Sequence, residues 1–374
     1  MVSLANRAMP PVENMLVYIF RRLLLMIPTI FGILTLTFII VQFVPGGPVE
    51  RIVAQLQGLD QSSTSRFSGG AADIGSGGGA SLYRGAQGLD PKFIAELNKQ
   101  YGLDKPVWQR YWILVSDFST LHFGESFKRK VTVLSLIGEK LPVSMTLGLW
   151  MTLLSYGISI PLGIRKAVSD GSRFDLWTSS VVIVAYAVPS FLFAILLIVL
   201  FAGGSFYQFF PLRGLTSDGW QHFSALHKVT DYLWHITLPI TAMALSAFAT
   251  TTFLTKNSFL DEINKQYVQT ARMKGLSENS VLYGHVFRNA MLIVIAGFPG
   301  AFIGSFLAGS LLIEQIFNLD GLGLLSWDSL MDRDYPVVFA TIFIFSVVGL
   351  LVNLLSDLTY GWIDPRIDFE TRGV

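Results

Sequence analysis

Six long apolar runs constrain this chain more than any other feature: 23–44, 143–163, 176–202, 236–255, 291–313 and 336–356. Each is close to or beyond the ~20 apolar residues that a helix needs to cross a bilayer. No Lys, Arg, Asp or Glu stands in the core of any of them. In lipid, every backbone N–H and C=O must be satisfied by protein, and a helix does this internally. The expected fold is therefore an all-α membrane protein with six transmembrane helices. Charged residues make up 14% of the chain and hydrophobic ones 52%, with a mean hydropathy of +0.53. A soluble domain carries about 25% charged residues.

Several chemistries are excluded or left without residues. The chain has no cysteine, which removes disulfides, thiolate zinc sites and thiol catalysis. The histidines (His122, His222, His227, His235, His285) lack the spacing of a helical metal site. No Gly-Lys-Ser or Gly-Lys-Thr occurs, so the chain does not hydrolyse ATP through a phosphate loop. A net charge of +1 offers no basic face for nucleic acid. No catalytic residue, metal ligand or bound cofactor is expected.

Orientation follows from the distribution of positive charge. With the N-terminus inside, the inner segments carry Arg7, Arg21, Arg22, Arg165, Lys166, Arg173, Lys256, Lys265, Arg272, Lys274, Arg288, Arg366 and Arg372. The two short outer loops carry only Arg213, Lys228 and Arg333. Both termini and the 256–290 loop are expected in the cytoplasm. The run after Arg21-Arg22 is too long for a secretory signal, and no small-x-small cleavage site follows it, so it is read as an uncleaved helix.

The chain divides into an N-terminal extension at 1–14, a first transmembrane helix at 15–44, an outer insert at 45–142, a core at 143–356 and a tail at 357–374. The insert begins with a short amphipathic run, Val49–Gln57. Its Gly/Ser-rich stretch 68–88 reads as a flexible linker. A helix follows, with Asp90 as N-cap, Pro91 at its first position and Gly102 at its stop. Its apolar side, together with Trp108, Tyr111, Trp112, Ile113 and Phe118, is expected to form a small helical cap on the outer surface. The cap either only packs on the membrane domain, or helps receive a partner protein or line an entrance.

The 256–290 loop is the most telling extramembrane segment. Asp261–Ser277 is rich in helix-favouring residues. Tyr267, Thr270, Ala271 and Lys274 follow three-and-four spacing. Gly275 breaks the helix, and a second helical segment runs toward Asn289. Two short helices joined at a Gly make a knob that fits a partner's groove.

Tyr267-Val-Gln-Thr-Ala-Arg-Met-Lys-Gly-Leu-Ser277, followed by His285-Val-Phe-Arg-Asn-Ala290, resembles the coupling ("EAA") motif of the dipeptide/oligopeptide/nickel permease family of binding-protein-dependent ABC importers. Further family-like marks are Val44-Pro-Gly-Gly-Pro48, Tyr101-Gly-Leu-Asp-Lys-Pro106, Pro161-Leu-Gly163, Val188-Pro-Ser-Phe191, Gly321-Leu-Gly323, Arg333-Asp-Tyr-Pro336 and Asp364-Pro-Arg366. The Gly-rich insert, Phe201-Ala-Gly-Gly204 and Phe210-Pro-Leu-Arg-Gly214 are similar to B-type permeases whose importers take up peptides and microcin C. The chain departs from the family in having Gln269-Thr-Ala271 for Glu-Ala-Ala, and Asp320 for a Pro. Ile293 also stands where a Pro is common, which leaves the start of the fifth span without a proline kink.

The resemblance implies a type I importer permease fold in the bacterial inner membrane, with a helical periplasmic insert between the first two helices. The implied partners are a second homologous permease (a heterodimer), a periplasmic peptide-binding protein, peptide substrate, membrane lipid and a cytoplasmic ATPase, fused or in two copies. ATP and Mg would bind to that ATPase. Tyr267, Thr270, Ala271, Arg272, Lys274, Gly275 and Leu276 would couple to it, within a knob spanning Tyr267–Leu282. Gly275 would allow the turn, and Ala271 a close contact. Ser190, Thr250, Thr252, Ser305, Ser310 and Asn353 are candidate path-lining residues, or simply bond neighbouring helices. Glu314 and Asp334, near the outer mouth, are candidates to attract peptide amino groups. A secondary transporter would need embedded ion sites, and an intramembrane hydrolase a nucleophile with a base at membrane depth. Neither is present. An exporter would pair with its ATPase through different loops.

Overall fold

The structure is a computed structural model that describes residues 12–43, 49, 96, 99, 102–203, 206–308 and 311–363. The 68–88 linker, nearly all of the 49–57 run and of the 90–102 helix, Ser310 and the end of the tail lie outside the described residues.

Among the described residues the fold is helical, and the sole strand-like pairing is an isolated bridge between Glu125 and Thr132. The main helices are α1 (Val12–Phe43), α2 (Val107–Ser119), α3 (Val133–Val168), α4 (Arg173–Ala187), α5 (Ser190–Phe201) and α6 (Ala225–Ile263). A run of short helices follows: α7 (Gln266–Met273), α8 (Glu278–Val281) and α9 (Phe287–Ala290). The rest are α10 (Leu292–Ala308), α11 (Leu311–Ile316), α12 (Leu322–Asp332) and α13 (Tyr335–Ile363).

Among the described residues, three stretches are long and apolar enough to cross a membrane unaided: Val17–Phe43, Val133–Val168 and Tyr335–Thr359. The other three expected spans are bent pairs, and counting each pair as one span gives six. The third bends by 94° between α4 and α5. Pro189 causes this break: it lacks an N–H and holds Val188 in an extended conformation (φ −83°, ψ 119°). The unbroken span expected at 176–202 is therefore corrected to two short arms. The fourth span bends by 51° between Ala225–Leu245 and Ala247–Ile263. The fifth also bends by 51°, between Glu278–Ala290 and Leu292–Gly304. The absence of a proline at Ile293 does not straighten it. A π-turn at Leu282–Val286 and the junction at Met291 supply the irregularity.

The chain forms two compact units. One comprises residues 140–324 and the two ends of the chain. Its first core joins Leu147 of α3, Ala194 and Leu197 of α5, Ile236, Leu238 and Ile240 of α6, and Ile313 of α11. Gly163 of α3 lies against α6 so closely that a Cβ there would fall 2.7 Å from the Thr255 Cβ and 2.8 Å from the Thr252 carbonyl. In the same unit, Arg22 pairs with Asp357 at 2.9 Å, and the Tyr18 hydroxyl donates to that carboxylate.

The second unit comprises residues 27–139 and 325–346. Phe38 stacks on Phe339 at 6.4 Å, and Phe118 meets Phe123 and Phe343 edge-on at 5.0 and 5.3 Å. Asp334 accepts from the Phe127 and Lys128 amides at 2.9 and 3.4 Å and from the Ser126 hydroxyl.

Candidate functional site

The 256–290 loop folds back on the helices that lead into it. Val268 and Ala271 of α7, Val281 of α8, Val286 of the π-turn and Ala290 of α9 are all buried. They share one cluster with Ile164 and Ala167 of α3, Phe259 of α6, Met291, and Val294 of α10. The loop is thus a packed extension of three long helices. Each fully buried valine contributes about 1.5–3 kcal/mol of apolar burial.

Polar contacts fix the register of α7. The Tyr267 hydroxyl donates to Glu262 at 2.7 Å and accepts from the Asn289 side chain at 3.1 Å. Burial lifts the Tyr267 pKa above its ordinary value, opposed by Asn289 and reinforced by Glu262. The hydroxyl therefore stays protonated and keeps donating.

The turn after α7 is a Schellman motif. The Leu276 amide bonds to the Ala271 carbonyl at 3.4 Å, and the Gly275 amide to the Arg272 carbonyl at 2.9 Å. Gly275 has φ +81°. Nothing stands within 4 Å of where its Cβ would be, so backbone conformation rather than space requires the glycine. Ser277 then caps α8 by accepting from the Ser280 amide. Arg272 closes the turn with a fork to Glu278 at 3.0 to 3.3 Å.

The residues expected to couple therefore divide. Tyr267 is half-buried and Ala271 buried, whereas Thr270, Lys274, Gly275 and Leu276 are exposed. The face proposed for Tyr267, Thr270, Ala271 and Lys274 straddles the edge of the packed surface. Ala271 makes its close contact within this chain, and Arg272 is engaged by Glu278. Large apolar side chains stand exposed among polar ones here: Met273 is 82% exposed, Tyr283 59% and Leu276 41%, beside exposed Lys274, Glu278 and Asn279. Sequence reasoning missed Met273 and Tyr283. Met273 falls off the Val268–Ala271 stripe, which was the available signal.

A second missed feature lies beside the loop. Lys166 was read only as a cytoplasmic positive charge, yet it is fully buried. Its Nζ lies 3.0 Å from an Asp175 carboxylate oxygen. It also donates to the Asp175 carbonyl and Thr178 hydroxyl at 3.0 Å and to the Ser179 hydroxyl at 2.6 Å. Lys256 bridges Asp175 and Asp170, at 2.8 Å to each. This network ties α3, α4 and α6 together. Short polar side chains at the span ends give no sequence signal of such pairing.

The described path candidates stand in different surroundings. Thr250 is exposed, and Thr252, two residues on and so across the helix, is fully buried at the Gly163 crossing. Ser190 is half-buried at the start of α5, and Asn353 is exposed on α13. Ser305 belongs to α10, and Ser310 lies outside the described residues. Neither proposed amine-attracting carboxylate faces outward. Glu314 is fully buried and accepts from the Ser144 hydroxyl at 3.1 Å and the Leu324 amide at 2.7 Å. Gly321 presses so near that a Cβ there would meet the Glu314 carboxyl at 2.5 Å. Asp334 is spent on the 126–128 turn described above.

Known proteins are similar to this chain in sequence. The family described as "binding-protein-dependent transport system inner membrane component" matches residues 159–369. A protein of Agrobacterium fabrum named "Peptidoglycan transport system permease protein YejB" is 63% identical, over 96% of this chain and 99% of its own length. An Escherichia coli protein named "Inner membrane ABC transporter permease protein YejB" is 54% identical, over 95% of this chain and 99% of its own. The Bacillus subtilis "Oligopeptide transport system permease protein AppB" is 33% identical, over 95% of this chain and 100% of its own. The chain is a membrane-embedded permease subunit rather than an enzyme, and it belongs to the family of binding-protein-dependent transport system inner membrane components.

Proposed function

We propose that the chain forms half of the translocation path of an ATP-driven peptide importer and couples to a cytoplasmic ATPase through the tip of the 256–290 loop. One observation carries this reading: Met273 and Leu276 stand exposed at the turn after α7, and Tyr283 on the π-turn beyond α8, in a loop whose underside is packed into α3, α6 and α10. A small apolar tip on a rigid base suits insertion into a groove of a soluble partner. Closure of the ATPases would displace the knob and rock those helices between inward-open and outward-open arrangements. The tip is cytoplasmic in this reading, as are both termini. The Arg22–Asp357 pair supports one side for the two ends of the chain, because it joins the start of α1 to the end of α13.

The partners of this reading are a second homologous permease, a periplasmic binding protein and an ATPase, fused or in two copies. The substrates are oligopeptides, including peptide-nucleotide antibiotics of the microcin C type. The name of the Agrobacterium fabrum relative favours a second reading, in which the peptide arrives attached to cell-wall sugar. The test is to purify the complete transporter through a tag on this subunit and measure ATP hydrolysis with the binding protein loaded in turn with plain oligopeptide, muropeptide or microcin C. Stimulation by a loaded binding protein supports the importer reading, and the relative stimulation selects the substrate. A subunit that purifies without any ATPase overturns it.

A further inference from the structure

The outer cap expected from the sequence includes α2, which carries two exposed tryptophans one turn apart: Trp108 at 64% and Trp112 at 57%. A tyrosine between them fixes their depth. The Tyr111 hydroxyl bonds to that of Thr35 at 2.7 Å, and its ring packs edge-on against Phe31 and Phe38 at 6.2 and 5.3 Å. Thr35 lies eight residues before the end of α1 at Phe43, which is about 12 Å along the helix. At the same level, α1 shows Leu36, Ile39 and Ile40 outward, on a span that buries little of itself. The first turns of α2 therefore lie alongside an apolar, outward-facing stretch of a transmembrane helix, well below its end. Arg110 donates instead to Gln42 at 2.6 Å, one residue from that end. Such reaching is how an arginine next to lipid keeps its charge at the polar rim.

We propose that α2 is seated in the bilayer leaflet at the Phe43 end of α1, with Trp108 and Trp112 in contact with lipid at the headgroup–acyl boundary. Tryptophan favours that level because its ring is apolar while its N–H seeks a polar partner. An amphipathic helix in this position sits ~5–10 Å into the boundary. The opposite flank of α2, at Asp117, is exposed and charged and faces water. The helix is thus a lateral anchor for the insert and not a platform for the binding protein.

The cysteine-free chain allows a direct test. Single-cysteine variants Trp108→Cys, Trp112→Cys and Asp117→Cys carry a nitroxide in the complete transporter, reconstituted in phosphatidylcholine–phosphatidylethanolamine vesicles. Leu36→Cys serves as the lipid standard and Arg129→Cys as the water standard. Collision rates are read with molecular oxygen, which concentrates in lipid, and with a water-soluble nickel chelate. Labels at 108 and 112 are expected to favour oxygen about as strongly as the one at 36, and the label at 117 to favour nickel as at 129. Nickel-dominated collisions at both 108 and 112 would overturn the proposal, most directly if a loaded binding protein then shielded them. Should labelled variants fail to assemble, Trp108→Phe with Trp112→Phe replaces them. Quenching of tryptophan fluorescence by brominated lipid is then expected to fall relative to the native chain. Unchanged quenching would count against the proposal.

Discussion

Single residues carry much of the architecture where backbones turn or helices touch. Gly275 sits at φ +81° with open space where a side chain would go. Non-glycine residues pay about 1–2 kcal/mol in that region, and Asn least of them. Gly275→Asn is therefore expected to keep most peptide uptake. Gly275→Trp is expected to leave the complex inserted while uncoupling ATP hydrolysis from uptake. Parallel uptake and ATPase assays check both, and normal uptake by the Trp variant would remove the loop from the mechanism. Lys166 makes a different point. Removing one member of a buried ion pair typically costs about 3–5 kcal/mol. Lys166→Met is expected to lower the thermal unfolding temperature of the detergent-solubilised complex, and Lys166→Met with Asp175→Asn to recover part of it. This network was not legible from residue order, since neither charge lies within an apolar core and their pairing depends on how three helices meet.

At the scale of the element, each apolar run falls on a long helix or a bent helix pair, but apolar length did not say which ones run straight. Leu and Ile runs read the same in a straight helix and in two arms that meet at a right angle. Val188-Pro189 breaks α4 from α5, and its proline was visible in the sequence. The bend at Met291 had no such marker, and neither did the π-turn at Leu282–Val286, because such irregularities depend on hydrogen-bond slippage rather than residue type. The inward stripe of α7 was partly legible from its spacing. Which of its edges stays exposed depends on Ile164 and Phe259, more than a hundred and about ten residues away along the chain respectively. The α3–α6 crossing is similarly tertiary in origin. Gly163→Leu is expected to push these helices apart and abolish assembly, because even a Cβ would stand 2.7 Å from Thr255. Co-purification of the partner subunits measures this, and Gly163→Leu paired with Thr255→Gly is expected to recover more complex than Gly163→Leu alone.

For the whole molecule, orientation is the decisive property. With the loop tip in the cytoplasm, Asn279→Cys is expected to react with a membrane-impermeant maleimide only in inside-out vesicles. Arg129→Cys is expected to react only in right-side-out cells. The reverse pattern would invert the positive-inside reading and leave the tip without access to an ATPase. The packed base of the loop has a further consequence. Val268, beneath the tip, and Val294, at the start of α10, belong to one buried cluster, so the loop turn and a membrane helix share a single packing arrangement. Thermodynamic reciprocity then applies in both directions. If seating the ATPase favours one arrangement of the helices, a substrate or lipid that favours that arrangement must tighten ATPase binding by the same factor. A substitution at Val294, which touches no nucleotide, would thereby be read out as a change in ATPase affinity at the opposite end of the loop.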